Sequence, residues 1–296
     1  MSLLALATSR AGAHSEKARA AGSLPFDLAQ RLREIERGSS GLLGVHILDT
    51  ATGVEYGHRA DERFLMCSTF KMLASALVLR RVDLGRESLT RRIVFSAADL
   101  VPNSPVSEHR VGGDGMSMGE LCEATLTTSD NVAANLILAS YGGPAALTAF
   151  ARSIGDNVTS FDRNEPSANI WHDLRDTTTP RAALHGMQHV LLGDVLAPAS
   201  REQLRQWMLA TTTGAGRLKA GLPAGWAIAD RTGTASDKKD GGTSNDIAVA
   251  WPPGGGAPLL VTAYLTRSSA SFEARNATLA EVGRLLPLIV EHRTPR

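Results

Sequence analysis

Strand-like runs lie only at the two ends of this chain, and that placement limits what it can fold into. Residues 41–49 (GLLGVHILD) read as a buried strand, Thr50-Ala51-Thr52-Gly53 as a turn and residues 54–58 as a short return strand, giving a hairpin. Strand signals come back at 226–232, 247–251 and 259–266, with Pro252-Pro253-Gly254-Gly255-Gly256 turning the last pair. Between the two sets the pattern is helical over 68–82, 118–127, 131–141, 144–154, 180–192 and 200–209. A helix over 26–37 precedes the hairpin, and a long amphipathic helix over 272–291 closes the chain. The economical arrangement is an α+β fold: one five-stranded antiparallel sheet, terminal helices packed on it, and an inserted all-α lobe. The expected units are a discontinuous α/β domain, residues 25–62 with 211–296, and an all-α domain, residues 63–210. A site is expected in the cleft between them.

Composition removes several function classes. A formal net charge of +1 over 296 residues gives no basic face for nucleic acid or an anionic membrane. No apolar run approaches the ~20 residues needed to span a bilayer. Cys67 and Cys122 are the two cysteines, too few for a disulfide framework or a four-ligand zinc site. Residues 1–24 read as an imperfect or truncated leader plus a disordered arm: the apolar piece Met1–Ala7 is short and has no basic segment before it.

Four short stretches carry chemistry. Ser68-Thr69-Phe70-Lys71 opens a strongly apolar helical run, which places the hydroxyl and the amine on one face. A buried ammonium is costly unless something uses it, and activating a serine nucleophile is one such use. A second Ser-x-x-Lys, Ser236-Asp237-Lys238-Lys239, sits in a Gly-rich polar segment and reads as a solvated turn. Ser129-Asp130-Asn131 occurs once, between helices, where Asp130 also suits a plain helix cap. The stretch from Phe161 to Pro180 is a long loop, and long loops in compact domains are often functional. In it Glu165 and Asn169 could hold one water between them, and Arg163 with Asp176 suggests an ion pair pinning the loop. Last, Arg231-Thr232-Gly233-Thr234 ends a predicted strand; Arg231 with Thr232 suits a carboxylate, and Gly233 lets a ligand approach the backbone.

Together and in this order, these motifs resemble the Ser-x-x-Lys, Ser-Asp-Asn and Lys-Thr-Gly set of class A serine β-lactamases. The resemblance runs from about Leu24 to the C-terminus and includes Leu121-Cys122-Glu123-Ala124, Asp176–Pro180, Thr212–Arg217, Ala220–Pro223 and Asn245–Pro252. It implies the fold shared by serine β-lactamases and D,D-peptidases, and hydrolysis of the β-lactam amide of penicillin-type antibiotics. Ser68 would be the nucleophile, with Lys71 beside it as base or proton relay. Ser129 would pass a proton to the leaving nitrogen, and Glu165 with Asn169 would direct the deacylating water. Asn131 would bind the substrate's side-chain amide; Arg231, Thr232, Gly233, Thr234 and Arg217 would surround its carboxylate. The oxyanion hole would use the backbone N–H groups of Ser68 and Ala235. No cofactor or metal is implied, the partner is the small-molecule β-lactam, and the protein is expected to be a monomer, periplasmic or secreted.

The departures from the family pattern carry expectations too. Arg231-Thr-Gly replaces the usual Lys-Thr-Gly, as in a minority similar to carbenicillin-hydrolysing enzymes, and implies a penicillinase or carbenicillinase preference. Asn103 stands where many members have an aromatic wall, which loosens substrate binding. Ser75 stands where many have a cysteine bonded to the equivalent of Cys122, so both thiols are expected free. The nearest rival is a penicillin-binding D-alanyl-D-alanine peptidase or a β-lactam sensor, which lacks the Glu165 and Asn169 pair. His185 and His189 share a helix face but lack the rest of a metal motif, and read as ordinary helix histidines.

Overall fold

The computed structural model describes residues 27–171, 173–237 and 241–293. The expected leader at 1–24 and the lysines of the second Ser-x-x-Lys lie outside the described residues. Helix α1 (Leu28–Gly38) leads into β1 (Leu42–Asp49) and β2 (Glu55–His58). Six helices follow: α2 (Lys71–Asp83), α3 (Met118–Thr127), α4 (Asn131–Ser140), α5 (Gly143–Ser153), α6 (Pro180–Leu191) and α7 (Pro198–Leu209). The chain then returns through β3 (Ala227–Asp237), β4 (Gly241–Trp251) and β5 (Leu259–Ser268) to α8 (Phe272–Gly283) and α9 (Leu285–Glu291). The five strands form one antiparallel sheet in the order β2-β1-β5-β4-β3.

Both faces of the sheet are covered, and the alternation along each strand shows how. In β1, Leu43, Val45 and Ile47 point into one core with α1 and α8; in β5, Leu259, Val261, Ala263 and Leu265 join them. Leu48 of β1 and Leu260 and Tyr264 of β5 point the other way, into a core continuous with the helical lobe. Strands buried on two faces read as apolar runs rather than alternating ones, and 41–49 is such a run. Gly44 marks where the lobe presses closest, since a β-carbon there would stand 2.4 Å from the Phe64 ring. Cys67 and Cys122 are both buried and free.

The structure corrects three local expectations. Ser68 does not begin the α-helix; it lies in a 3₁₀ turn, Cys67–Phe70, with α2 starting at Lys71. Residues three apart eclipse in such a turn, which still aligns Ser68 with Lys71. The Arg231-Thr-Gly-Thr234 stretch does not end a strand. It lies within β3, which continues paired with β4 to Asp237↔Gly241. The polar and glycine residues of this extension resembled a loop because they border the cleft rather than the core. The closing helix is two helices broken at Arg284, because Pro287 lacks an N–H and its ring would clash with the carbonyl of Gly283, four residues earlier.

Candidate active site

A cleft of about 470 Å³ opens between the outer edge of β3 and the helical lobe, lined by Ser68, Ser129, Asn131, Asn169, Arg217, Thr232 and Thr234 among others. Four chain segments converge there, and close packing makes the convergence possible. A β-carbon on Gly233 would lie 2.7 Å from the Met66 carbonyl oxygen, so only glycine lets β3 run this close to the nucleophile turn.

Ser68 Oγ donates to Glu165 Oε1 at 3.2 Å. Lys71 is fully buried, and its ammonium reaches Ser129 O at 2.9 Å, Ser129 Oγ at 3.3 Å, Asn131 Oδ1 at 2.6 Å and Glu165 Oε1 at 3.4 Å. Burial pulls its pKa from 10.5 down to about 8; the neighbouring Glu165 carboxylate resists that fall and the Arg231 charge adds to it. Ser129 Oγ also accepts from Arg231 Nη2 at 2.6 Å. Arg231 is itself fully buried, and desolvation depresses its pKa while Asp230 opposes. Asp130 is the cap of α4, accepting from Ala133 N at 2.8 Å, and it also ties Val106 N and Ser107 N to the turn. The capping function and the placement of Ser129 and Asn131 are thus one device.

The loop bearing Glu165 is held at both ends. Asp176 Oδ2 meets Arg163 Nε at 2.5 Å, while its other oxygen accepts from the N–H groups of Asp162 and Arg163. That is the ion pair read from the sequence. Asn135 brackets Glu165 itself: its Oδ1 accepts from Glu165 N and its Nδ2 donates to Glu165 O, each at 2.9 Å. Asn135 was not among the expected residues, although its place four after Asn131 on α4 puts both on one face. Asn169 Nδ2 donates to Glu165 Oε2 at 2.5 Å, and Asn169 Oδ1 is buried without a protein partner.

At the other end of the cleft, Arg217 Nη2 reaches Thr234 Oγ1 at 2.5 Å and Arg217 Nε reaches Asn276 Oδ1 at 3.0 Å. Its guanidinium lies 5.8 Å from the ring of Phe272, an exposed cleft residue that the apolar pattern alone did not distinguish. Thr213 Oγ1 lies 2.6 Å from Thr232 Oγ1.

The register revises one site residue. Arg217 Nη1 donates to Gly233 O at 2.8 Å and Asn245 O at 2.6 Å, the two carbonyls of one register pair, so both face the gap between β3 and β4. Backbone groups of an antiparallel strand alternate sides from residue to residue. Thr232, whose carbonyl accepts from Arg231 Nη1 at 2.8 Å, and Thr234 therefore turn their backbone groups to the cleft. Ala235 turns its N–H toward β4, which removes it as the expected oxyanion donor and leaves the Thr234 N–H in that position. All other expected site residues converge on the cleft.

One histidine cluster lies away from it. His46, Glu55 and His185 bring ligand-type atoms within 4.8 Å of one another. Arg181 Nη1 already stands 2.8 Å from Glu55 Oε2 and 3.3 Å from His46 Nε2, supplying the cation there.

A buried serine–lysine–glutamate constellation on a five-stranded α+β scaffold is the arrangement of a serine hydrolase. The chain belongs to the Beta-lactamase enzyme family, which matches residues 27–292, and it is a class A serine β-lactamase that hydrolyses β-lactams. It is 46% identical over 283 residues to Beta-lactamase L2 of Stenotrophomonas maltophilia, covering 92% of each chain. It is 42% identical over 272 residues to Beta-lactamase CTX-M-8 of Citrobacter amalonaticus, covering 90% of this chain and 91% of that one. Among solved structures, an ancestral (GNCA) class A β-lactamase is 56% identical with a TM-score of 0.84, over 90% of this chain and 99% of that chain. Class A β-lactamases are generally secreted or periplasmic, and no single helix among the described residues is long and apolar enough to cross a membrane.

Proposed function

We propose that Glu165 is the general base of both half-reactions, that Lys71 acts as a cation, and that the enzyme prefers penicillins, carbenicillin among them. The observation carrying this reading is the 3.2 Å hydrogen bond from Ser68 Oγ to Glu165 Oε1, while the Lys71 ammonium is committed to other acceptors. Glu165 takes the serine proton as Oγ attacks the lactam carbonyl. The N–H groups of Ser68 and Thr234 receive the oxyanion. Ser129, polarised by Lys71 and Arg231, delivers its proton to the lactam nitrogen as the ring opens; the Lys71 ammonium, 3.3 Å from Ser129 Oγ and 3.4 Å from Glu165 Oε1, replaces that proton and recovers one from Glu165, which returns Glu165 to the carboxylate. Glu165 then activates the water that hydrolyses the ester, and the unpaired Asn169 Oδ1 beside it suits holding that water.

The Thr232 and Thr234 hydroxyls bind the substrate carboxylate, and the buried Arg231 guanidinium behind them contributes its charge. Most of the Arg217 donors are committed to the protein, so Arg217 acts chiefly by orienting the Thr234 hydroxyl and by its charge. Asn131 offers its remaining amide N–H to the acyl side chain. The Arg231-Thr-Gly sequence supports the penicillinase preference, because a planar, five-donor guanidinium replaces a point ammonium beside the carboxylate. The division into 25–62 with 211–296 and 63–210, a monomeric state, and a periplasmic or secreted location complete the reading.

Benzylpenicillin in excess tests it, with lactam absorbance followed alongside intact mass. Many turnovers by the parent enzyme, and a persisting adduct in Glu165→Gln, are expected. A single stoichiometric burst from the parent enzyme would instead mark a penicillin-binding peptidase or sensor. Carbenicillin turned over no faster than an oxyimino-cephalosporin would refute the preference.

A further inference from the structure

Asn103 sits on the cleft rim with an exposed side chain, where its small size suggested only a missing wall. Its contacts point elsewhere. Asn103 Nδ2 donates to the Ser129 carbonyl oxygen at 3.1 Å, the same oxygen that accepts from the Lys71 ammonium at 2.9 Å. Asn103 O in turn accepts from Asn131 N at 3.0 Å. One residue therefore grips both ends of the Ser129-Asp130-Asn131 turn, by its side chain at one end and its backbone at the other.

The turn is an uncommon one. Ser129 has φ +65°, in the left-handed region that a serine adopts at a cost. Rotation of the Ser129–Asp130 peptide plane, through Ser129 ψ and Asp130 φ, would swing the carbonyl away from Lys71. The amide of Asn103 occupies the second lone pair of that carbonyl and opposes the rotation. Asn103 itself has φ +62°, a region that asparagine tolerates better than most residues. Its identity thus satisfies a backbone requirement and supplies a donor at once.

We propose that Asn103 is a positioning residue: it fixes the Ser129 carbonyl that anchors Lys71, and so sets the rate of acylation rather than the affinity for substrate. This rests on the roles given above to Lys71 and Ser129.

Two variants separate the donor from the backbone. Asn103→Gly keeps the left-handed conformation and lacks the donor; Asn103→Asp keeps the shape and replaces the donor by an acceptor. Stopped-flow acylation would be followed across substrate concentration with benzylpenicillin and with 6-aminopenicillanic acid, which has no acyl side chain to touch the rim. Near-UV circular dichroism at the assay temperature would establish that each variant is folded.

Loss of one neutral hydrogen bond corresponds to a fall of about 5- to 10-fold in limiting acylation rate, equal for both substrates, with half-saturating concentrations within about 2-fold of the parent. The Asp variant should fall at least as far. A change confined to the half-saturating concentration of benzylpenicillin would return Asn103 to a rim role and overturn the proposal. Unchanged acylation in folded variants would overturn it as well. A parent enzyme that never acylates would instead sink the reading of the site itself.

Discussion

Lys71 gives the sharpest test of the assignment of base and cation. Among the described residues it is the one buried amine of the cleft, and burial lowers its pKa from 10.5 to about 8. For a lysine the charged form lies below the pKa, so a mechanism that uses the ammonium is intact below pH 8 and fails as pH rises through it. With a single titration at 8, about one tenth of the enzyme keeps the charge at pH 9 and about one hundredth at pH 10, and kcat/KM should fall in those proportions. The assay is benzylpenicillin hydrolysis at low substrate concentration from pH 6 to pH 10, with enzyme stability checked at each pH. Lys71→Arg keeps the charge, because guanidinium stays protonated throughout this range. It should lower the plateau, since a planar fork cannot meet the same acceptors, and displace the alkaline limb above pH 10. The opposite profile would refute the reasoning. If kcat/KM rises through pH 8 and levels off, the neutral amine is the base, and Glu165 serves deacylation alone.

Three further outcomes follow from the same geometry. Asp176→Ala removes the buried Arg163 partner and two backbone hydrogen bonds from the loop base, so deacylation of benzylpenicillin should slow more than 10-fold while acylation changes less, read from accumulation of the adduct by mass. Ser75→Cys should cross-link to Cys122, which lies against it. Closing the 75–122 loop would add up to about 4 kcal/mol by the chain-entropy argument, or roughly 8 °C in Tm, lost on reduction. Asp230 is buried without a side-chain partner, and desolvation pushes its carboxyl up to about 7, so the folded state keeps a proton that the unfolded chain releases above its ordinary 3.8. Stability should therefore fall as pH rises from about 4 to about 7, and Asp230→Asn should flatten that slope in urea titrations.

What could be read from the sequence divides along a physical line. Long elements declared themselves, because burial on both faces of β1 and β5 makes continuous apolar runs and packed helices keep their period. The convergence of Ser68, Lys71, Ser129 and Glu165 was legible because their motifs recur in a fixed order. The misses concern direction and long-range contact. Whether Thr234 or Ala235 presents its N–H to the cleft depends on which carbonyls face β4, and only the pairing with Asn245 settles that. A polar strand extension bordering a cleft has no apolar alternation to announce it, so β3 read as ending five residues early.

Asn103 and Asn135 were obscured for a related reason. Each acts by hydrogen bonds between side chain and main chain, to a residue 26 or 30 positions away in sequence. Main-chain partners are the same for every residue type, so such contacts leave no signature in the partner's identity. Both asparagines nonetheless do the same work. They tie the Ser129 turn and the Glu165 loop by their main chain to the helical lobe, Asn135 from α4 itself and Asn103 through the N–H of Asn131 at the start of α4. The chemistry proposed for this site thus rests on its serines, lysine and glutamate, while the turn and the loop that carry Ser129 and Glu165 are tied through their main chain by the amides of Asn103 and Asn135.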